Sequence, residues 1–410
     1  MSAAPLPLLR VEVPTAPMDL LMWLGGQATP QRWYWQSRDG QFEVAAVGVA
    51  HQVLAQDQTL DQLQAMLVDL GPHSSARWYG GVAFDSDAPD ISSEWSAFGQ
   101  GFWILPAVEW LRRGSDFFLA FHFPKDSLNQ TAAIEKWVSQ WVQPSQERCE
   151  IPVGRPKPAA MRDWHAIAHH FFTAAGLDKV VPARFVDWQI NKGVCGPLLL
   201  ARLLGQTGPG FSYYLQPQAG VAFAGCSPEL LLAGQGDQLT TEAVAGTAVG
   251  DQSLGTDKER EEHLWVVRHV RDALARHCDP VWEAPAATEL TLPYARHWQV
   301  AFRGTRHAPL QAVFDDLFPT PAVAGYPVAA SCLFLRTHEP FSRGWYAGAV
   351  GWVSADALEL AVAIRSALVT EDRVRVFAGA GFVKSSDAAS EWAETENKME
   401  PWRVVLEGRR

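Results

Sequence analysis

Residues 374–398, VRVFAGAGFVKSSDAASEWAETENK, predict a strand, a turn of small residues and a helix in close succession. The apolar run at residues 374–383 indicates the strand. Either Ser386 or Asp387 can cap a helix that covers residues 385–398, because a short polar side chain accepts a hydrogen bond from the first turn. This unit places a helix directly after the last strand of the chain.

The rest of the chain continues this pattern of strands with fewer helices. Strands are predicted at residues 42–50, 117–123, 179–186, 220–232, 238–245, 345–353 and 358–369, and helices at residues 18–25, 60–70, 164–175 and 257–278. Long runs of strands favour an α+β fold over a doubly wound parallel sheet. Residues 143–160 hold four prolines and no hydrophobic period, which indicates an exposed connection between residues 1–142 and residues 161–410.

The composition argues against several classes of protein. The 410 residues carry 34 Lys and Arg against 45 Asp and Glu, and a net charge of −11 does not suit a nucleic-acid binder. The 5 cysteines form no CxxC pair, so we expect neither a disulfide framework nor a zinc cluster, and a reducing, cytoplasmic compartment fits. No apolar run reaches the roughly 18 residues that a membrane-spanning helix needs, so no membrane association is expected.

The last predicted helix carries charged residues with a regular spacing. Glu391, Glu394 and Lys398 are three and four residues apart, which places them on one helical face. Two carboxylates beside an ammonium can hold a hard divalent cation and an anionic ligand, but a solvated face has the same spacing. Gly379 and Gly381 allow either close backbone approach to an anion or a crowded strand crossing. The spacing alone leaves these alternatives open.

Four more charged residues stand in segments where a charge needs an explanation. Lys179 opens an apolar strand, where burial would lower its pKa toward that of a general base. Glu229 precedes three leucines and could be a general acid if it points inward. Arg365 lies inside an apolar strand and would need an anionic partner there. Glu262 belongs to an acidic first helical turn, which the helix dipole also explains, and Lys179 could equally be a surface or snorkelling lysine at a strand end.

Together these segments resemble the chorismate-utilising enzymes, which include isochorismate, salicylate, anthranilate and aminodeoxychorismate synthases. The matching segments are LDKVVPAR (177–184), AGCSPELLL (224–232), TEAVAGT (241–247), DKEREEHLWVV (257–267), PTPAVAG (319–325), RGWYAGAVGW (343–352), AIRSAL (363–368), AGAGFV (378–383) and EWAETENKM (391–399). The N-terminal MWLGGQATPQRWYWQSRDG (22–40) and HEPFSRGWYAG (338–348) are most similar to isochorismate synthases of the menaquinone type. The resemblance implies two large antiparallel sheets with helices packed outside, and a Pro-rich connection that is a crossover within one intertwined domain.

The resemblance also implies catalytic and metal-binding roles for matching positions. Lys179 matches the base that activates water for attack at C2 of chorismate. Glu229 matches the acid that protonates the departing C4 hydroxyl. Glu262 and Glu394 match the two ligands of a Mg²⁺ cofactor, and Glu391 is an adjacent candidate.

Six further positions match substrate-binding residues of the family. They are Gly246, Thr247, Tyr346, Arg365, Gly379 and Lys398. The implied activity is Mg²⁺-dependent interconversion of chorismate and isochorismate, in a menaquinone or siderophore pathway. Ala245 stands where aminodeoxychorismate synthases can carry a nucleophilic lysine, so water is the preferred nucleophile.

Some alternatives stay open at this stage. Phe318 precedes Pro-Thr-Pro, where salicylate synthases often carry phenylalanine, so elimination of pyruvate from isochorismate is a possible second step. An anthranilate synthase-like component and a non-catalytic chorismate-binding protein are further alternatives. No glutamine amidotransferase subunit is expected, and the chain is expected to be a monomer or a weak dimer. Pro182 predicts a strand edge or bulge, and Pro401 predicts an end or a kink in the last helix.

Overall fold

The computed structural model describes residues 6–68, 70, 75–86, 92–125, 154–157, 161–190, 195–248 and 254–408. The predicted Pro-rich connection therefore lies outside the described residues, except for residues 154–157. The helices are α1 (Leu20–Gly25), α2 (Leu60–Val68), α3 (Met161–Thr173), α4 (Gly196–Leu204), α5 (Asp257–His277), α6 (Leu310–Leu317), α7 (Val328–His338) and α8 (Ala388–Leu406), with a 3₁₀ turn at Ser93–Trp95.

The strands follow the same numbering in chain order. They are β1 (Leu8–Thr15), β2 (Arg32–Gln36), β3 (Phe42–Leu54), β4 (Arg77–Val82), β5 (Gly101–Arg113), β6 (Asp116–Pro124), β7 (Arg155–Pro156), β8 (Lys179–Val180), β9 (Ala183–Gln189), β10 (Phe211–Gln218) and β11 (Val221–Ser227). The remaining strands are β12 (Leu230–Gln235), β13 (Gln238–Ala248), β14 (Cys278–Glu283), β15 (Thr288–Leu292), β16 (Ala295–Arg306), β17 (Gly325–Tyr326), β18 (Ala349–Ser354), β19 (Ala357–Val362), β20 (Ser366–Thr370), β21 (Arg373–Gly379) and β22 (Phe382–Val383).

Nineteen of these strands form one hydrogen-bonded network with two arms, and all of its pairings are antiparallel. The first arm has the order β1-β6-β5-β3-β2-β10-β11-β20-β21-β9-β7. The second arm leaves β5 through β4, β18, β19, β12, β13 and β16, and β16 also pairs with β14 and β15. The two large antiparallel sheets of the predicted α+β fold are therefore confirmed, and they share the long strands β3 and β5.

Both halves of the chain contribute strands to each arm. In the first arm β2 pairs with β10, and in the second arm β4 pairs with β18. Residues on either side of the Pro-rich connection therefore meet within the same sheets. Strands β8, β17 and β22 form a separate small sheet beside this network.

Alternate side chains of the first arm point to two different cores. Tyr213 and Phe223 lie in the larger core, together with residues of the second arm such as Leu360. Their neighbours Tyr214 and Ala224 lie in a second core with residues of α1, α4 and α8. Because successive strand residues point to opposite faces, one face of this arm meets the other sheet and the other face is covered by helices. This confirms the prediction of helices packed outside the sheets.

Four predicted strands are interrupted in the structure, and each interruption contains a candidate site residue or lies within two positions of one. The segment 179–186 divides into β8 and β9, 220–232 into β11 and β12, 358–369 into β19 and β20, and 374–383 into β21 and β22. Pro182, where a strand edge or bulge is predicted, lies in the break between β8 and β9 and belongs to neither strand. The placement of Arg365 inside a strand is wrong, because it lies in the break after β19 with φ 55°. That left-handed conformation cannot continue a strand.

The last helix is longer than the sequence predicts. Asp387 is its N-cap, and the Asp387 carboxylate accepts a hydrogen bond from the Ser390 amide. The helix continues through Pro401 to Leu406, so Pro401 does not end it. Trp402 next to this proline is buried, and its indole Nε1 donates to the Arg365 carbonyl at 3.1 Å. This packing offsets the helix hydrogen bond that proline cannot make. No helix in the described part of the chain is long and apolar enough to cross a bilayer.

Candidate active site

Ten of the eleven candidate site residues line one cavity. They are Lys179, Glu229, Gly246, Thr247, Glu262, Tyr346, Arg365, Gly379, Glu394 and Lys398. The cavity measures about 730 Å³, including the space open to solvent at its mouth. All four strand interruptions contribute to its lining, because the chain leaves the regular sheet at each of them. Residues far apart in the sequence are thereby turned toward one another.

Lys179 and Glu262 meet at one wall of this cavity. Lys179 is only 2% exposed, and burial lowers the pKa of its ammonium while the Glu262 carboxylate opposes that shift. A Cβ placed at Gly381 would lie 2.8 Å from Glu262 Oε1 and 3.1 Å from Lys179 Cε. Gly381 therefore makes room for these two side chains. Since α8 begins only at Ala388, the glycines do not form an anion site at its N-terminus.

Glu229 lies in the break between β11 and β12. Its amide donates to Ser227 Oγ at 3.2 Å, and its carbonyl accepts from the Val362 amide at 3.2 Å. The side chain is 3% exposed, and burial raises the pKa of Glu229 to about 8. Its Oε1 has no hydrogen-bond partner among the described residues. A buried carboxyl that is protonated at neutral pH can donate a proton to a bound molecule.

Three carboxylates from two helices surround the ammonium of Lys258. Its Nζ lies 2.6 Å from Glu391 Oε1, 3.8 Å from Glu262 Oε1 and 3.9 Å from Glu394 Oε2. Glu391 is 1% exposed and is absent from the cavity lining, so it lies behind Glu262 and Glu394. Sequence reasoning missed Lys258, although the residue stands four positions before Glu262 and hence on the same face of α5.

The carboxylates of α8 differ in their protonation behaviour. Burial raises the pKa of Glu391 to about 8, and the neighbouring Glu394 carboxylate adds to the shift. Burial alone would also raise the pKa of Glu394, but the ammonium groups of Lys398 and Lys258 lower it to about 2. Lys398 Nζ lies 2.5 Å from Glu394 Oε1 and donates to the Gly379 carbonyl at 2.9 Å. Glu394 is therefore ionised at neutral pH, which suits a metal ligand.

This donor set fits a divalent cation. Glu262 Oε1 and Glu391 Oε2 are buried and lack hydrogen-bond partners in the part of the chain that the structure describes. Mg²⁺ prefers oxygen ligands and commonly uses only one or two carboxylates, with ligand oxygens and water completing the octahedron. Across the described ranges no three carboxylate, imidazole or thiolate groups already form a closed metal cage. The Lys258 ammonium instead lies among the carboxylates.

Arg365 places its positive charge at another wall of the cavity. No carboxylate forms an ion pair with Arg365 among the residues with described positions; its guanidinium donates to the Lys398 carbonyl at 3.4 Å and to His297 Nε2 at 3.2 Å. His297 Nδ1 lies 3.1 Å from the Gly246 carbonyl, so Nδ1 carries the proton and Nε2 accepts. Burial and the Arg365 charge lower the pKa of His297 to about 3. Because the imidazole is neutral, the guanidinium is available to an anionic ligand.

Two glycines of the site have steric explanations. A Cβ at Gly379 would lie 3.2 Å from the hydroxyl of Tyr346, whose ring stacks on Phe377 with 5.0 Å between centroids. Gly246 has φ 71°, and a Cβ there would lie 2.9 Å from the carbonyl oxygen of Glu259 in α5. The first glycine admits Tyr346 to the cavity, and the second lets α5 pack closely on β13. No sequence signal indicated His297, since its relation to Arg365 exists only in the folded chain.

Comparisons with known proteins point to one family. A family model described as chorismate binding enzyme matches residues 4–407. The chain is 29% identical to isochorismate synthase MenF of Escherichia coli, with 95% of this chain and 91% of the relative covered. It is also 29% identical to isochorismate synthase MenF of Haemophilus influenzae, with coverage of 95% and 90%. The solved structure of the Escherichia coli MenF, a menaquinone-specific isochorismate synthase, superposes with a TM-score of 0.85 at 28% identity, over 97% of this chain and 94% of that one.

Proposed function

The chain belongs to the chorismate binding enzyme family, and we propose that it is an isochorismate synthase. The observation that carries this proposal is the pair of buried groups in one cavity whose pKa values shift in opposite directions. Burial favours the neutral amine of Lys179 and the protonated carboxyl of Glu229. These are the forms that a general base and a general acid need before a reaction begins. The likeness to the two isochorismate synthases supports the same conclusion.

In the proposed reaction Lys179 and Glu229 act on opposite ends of the ring diene. The Lys179 amine takes a proton from water as the water oxygen bonds to C2 of chorismate. The two ring double bonds shift, the C4–O bond breaks, and Glu229 gives its proton to the departing hydroxyl, which leaves as water. Water is a poor nucleophile and hydroxide a poor leaving group, so each proton transfer contributes roughly 10²–10⁴-fold. Return of the proton from Lys179 to Glu229 restores both groups.

The proposed substrate is a dianion, and the site offers separate positions for its charges. Glu262 and Glu394 would hold Mg²⁺, with Glu391 beside them, and the bound ion would neutralise the ring carboxylate and draw electron density from the diene. Arg365 would receive the enolpyruvyl carboxylate, together with Tyr346 and Lys398. The guanidinium suits this task because its planar fork matches a carboxylate.

Phe318, the residue that left salicylate synthase as an alternative function, gains no support from its position relative to the cavity. The Phe318 ring stacks on Phe314 with 5.2 Å between centroids. Neither ring is among the residues that line the cavity. Phe318 therefore does not favour a second, pyruvate-eliminating step.

One assay tests the proposal. Purified protein is incubated with chorismate and MgCl₂ without ammonia, and the products are resolved by chromatography. We expect isochorismate alone. Formation of salicylate and pyruvate would instead identify a salicylate synthase. A control incubation of isochorismate without enzyme measures how much of these products arises by spontaneous decay. No turnover of chorismate would contradict the enzymatic function.

A further inference from the structure

Lys258 is the cation at the centre of the carboxylate cluster, and the proposed chemistry assigns it no part. It extends from the first turn of α5 to Glu391 of α8, and lies within 4 Å of oxygens from Glu262 and Glu394 as well. These last two oxygens belong to the residues proposed to bind Mg²⁺. The ammonium is therefore placed close to the position that a bound cation would take.

The cluster needs a positive charge when no metal is bound. Glu391 and Glu262 are 1% and 4% exposed, and buried carboxylates without a counter-charge are costly. Lys398 and Lys179 meet only part of this need, since the Lys398 ammonium is shared between Glu394 Oε1 and the Gly379 carbonyl, and Lys179 faces Glu262 from the cavity wall. The contact of 2.6 Å with Glu391 therefore makes Lys258 the main counter-charge on the inner side of the cluster.

We propose that the Lys258 ammonium takes the place of the divalent cation in the metal-free protein, so that metal binding at this site is an exchange of one cation for another. This inference rests on the proposed function, because it uses the same carboxylates as metal ligands. Mg²⁺ binds oxygen at about 2.1 Å, so an ion between Glu262 and Glu394 would lie within a few ångströms of the ammonium and repel it. The Lys258 side chain is 22% exposed and has a flexible stem, which allows it to withdraw toward solvent.

Two consequences follow from such an exchange. The Lys258 ammonium stabilises the metal-free protein, because it keeps the buried carboxylates paired with a positive charge. It also weakens metal binding, because the contact with Glu391 and the attraction of Glu262 and Glu394 must be given up first. Loss of the ammonium should thus have opposite effects on these two properties.

The test compares Lys258→Met with the wild-type protein. MgCl₂ is titrated calorimetrically into each protein in the absence of chorismate. The pH of the buffer is set above about 8, the value to which the pKa of Glu391 is raised, so that protons compete little with Mg²⁺ for this carboxylate. We expect Lys258→Met to bind Mg²⁺ about ten-fold more tightly, the factor that corresponds to one charged hydrogen bond. Its melting temperature in EDTA should be lower than that of the wild type, and saturating Mg²⁺ should narrow the difference.

Two controls separate this effect from a general change of charge or from misfolding. Lys125→Met removes an exposed lysine outside the site and should leave the affinity for Mg²⁺ unchanged. Lys258→Arg keeps the charge and should not tighten binding. If the charge-neutral Met variant does not fold, Lys258→Gln takes its place in the same titration.

Unchanged or weaker Mg²⁺ affinity in the neutral variant would overturn the exchange while leaving the proposed reaction intact. Absence of Mg²⁺ binding to both wild type and variant would overturn the exchange together with the metal-ligand assignment. The chorismate assay decides the reaction itself, so the two kinds of failure are distinguishable.

Discussion

Glu339 and Arg343 form a buried ion pair that holds the backbone on both sides of Pro182. The Arg343 guanidinium donates to the Val181 carbonyl at 2.6 Å, and the Glu339 carboxylate accepts from the Ala183 amide at 2.7 Å. Their side chains are 5% and 4% exposed. These bonds satisfy backbone groups that the interrupted strand cannot pair. The ion pair thereby fixes the strand break next to which Lys179 enters the cavity.

We expect either Glu339→Gln or Arg343→Met to destabilise the protein by about 3–5 kcal/mol, because each leaves a buried charge without its partner. The measurement is urea unfolding followed by tryptophan fluorescence. The double variant should lose less than the sum of the two single losses, since it leaves no unpaired charge. Strictly additive losses would show that the two residues act independently.

Replacement of the proposed base should remove turnover and spare binding. For Lys179→Ala we expect kcat to fall by roughly 10²–10⁴-fold, because water loses its proton acceptor. Calorimetric affinities for chorismate and Mg²⁺ should change only a few-fold. Lys125→Ala, at an exposed position, serves as the control. Near-normal turnover by Lys179→Ala would remove this residue as the base.

The raised pKa of Glu229 predicts the alkaline limit of activity. The acid is active only when protonated, so kcat/KM should fall as the pH rises above about 8. A plot of kcat/KM against pH tests this, because it reports groups of the free enzyme. An alkaline limb displaced far from that value would argue against Glu229 as the acid.

The same shift has a consequence for stability. Between its ordinary pKa of about 4.3 and the folded value of about 8, the native state holds a proton that the unfolded state releases. Stability therefore falls as the pH rises through this window. The Glu229→Gln side chain cannot ionise and does not lose stability in this way. The free energy of unfolding of the variant should therefore rise relative to that of the wild type between pH 5 and pH 8. A difference that does not vary with pH would contradict the shift.

Arg365 should act on substrate binding more than on chemistry. Arg365→Lys keeps the charge but loses the two-pronged geometry that suits a carboxylate. We expect KM for chorismate to rise about ten-fold, with kcat changed much less. Arg373→Lys, which alters an arginine paired with Glu94, is the matched control. Equal KM values for the two variants would show that Arg365 does not hold the substrate.

Metal removal should abolish turnover, and the loss should be reversible. EDTA is expected to stop isochorismate formation, and added MgCl₂ to restore it. In Glu394→Gln the Mg²⁺ concentration for half-maximal activity should rise about ten-fold or more, because one charged ligand is lost. Glu400→Gln changes a carboxylate of the same helix that pairs with Arg403 and should behave like the wild type. An unchanged Mg²⁺ titration of Glu394→Gln would count against its assignment as a ligand.

Local patterns predicted the helices of the site well but the strands incompletely. The apolar spacing from Trp164 onward predicted α3, and that of Leu264, Val267, Val270 and Leu274 predicted α5, because helix formation depends on residues three and four positions apart. The four strands at the site were predicted as continuous runs. Apolar composition does not reveal where a chain must leave a sheet, and the breaks at Pro182 and Arg365 are held by bonds to distant segments.

By itself the sequence determined the fold class and, through its resemblance to a family, the group of residues that converge on one cavity. It could not distinguish a solvated Glu–Lys face on the last helix from a metal site, because the two have the same spacing. Only the tertiary structure decided that this face is not solvated, by burying Glu391 and Glu394 against α5 and bringing Lys258 among them. The physical reason is that burial and long-range pairing set the charge state of these groups, and neither is a property of any local stretch of chain.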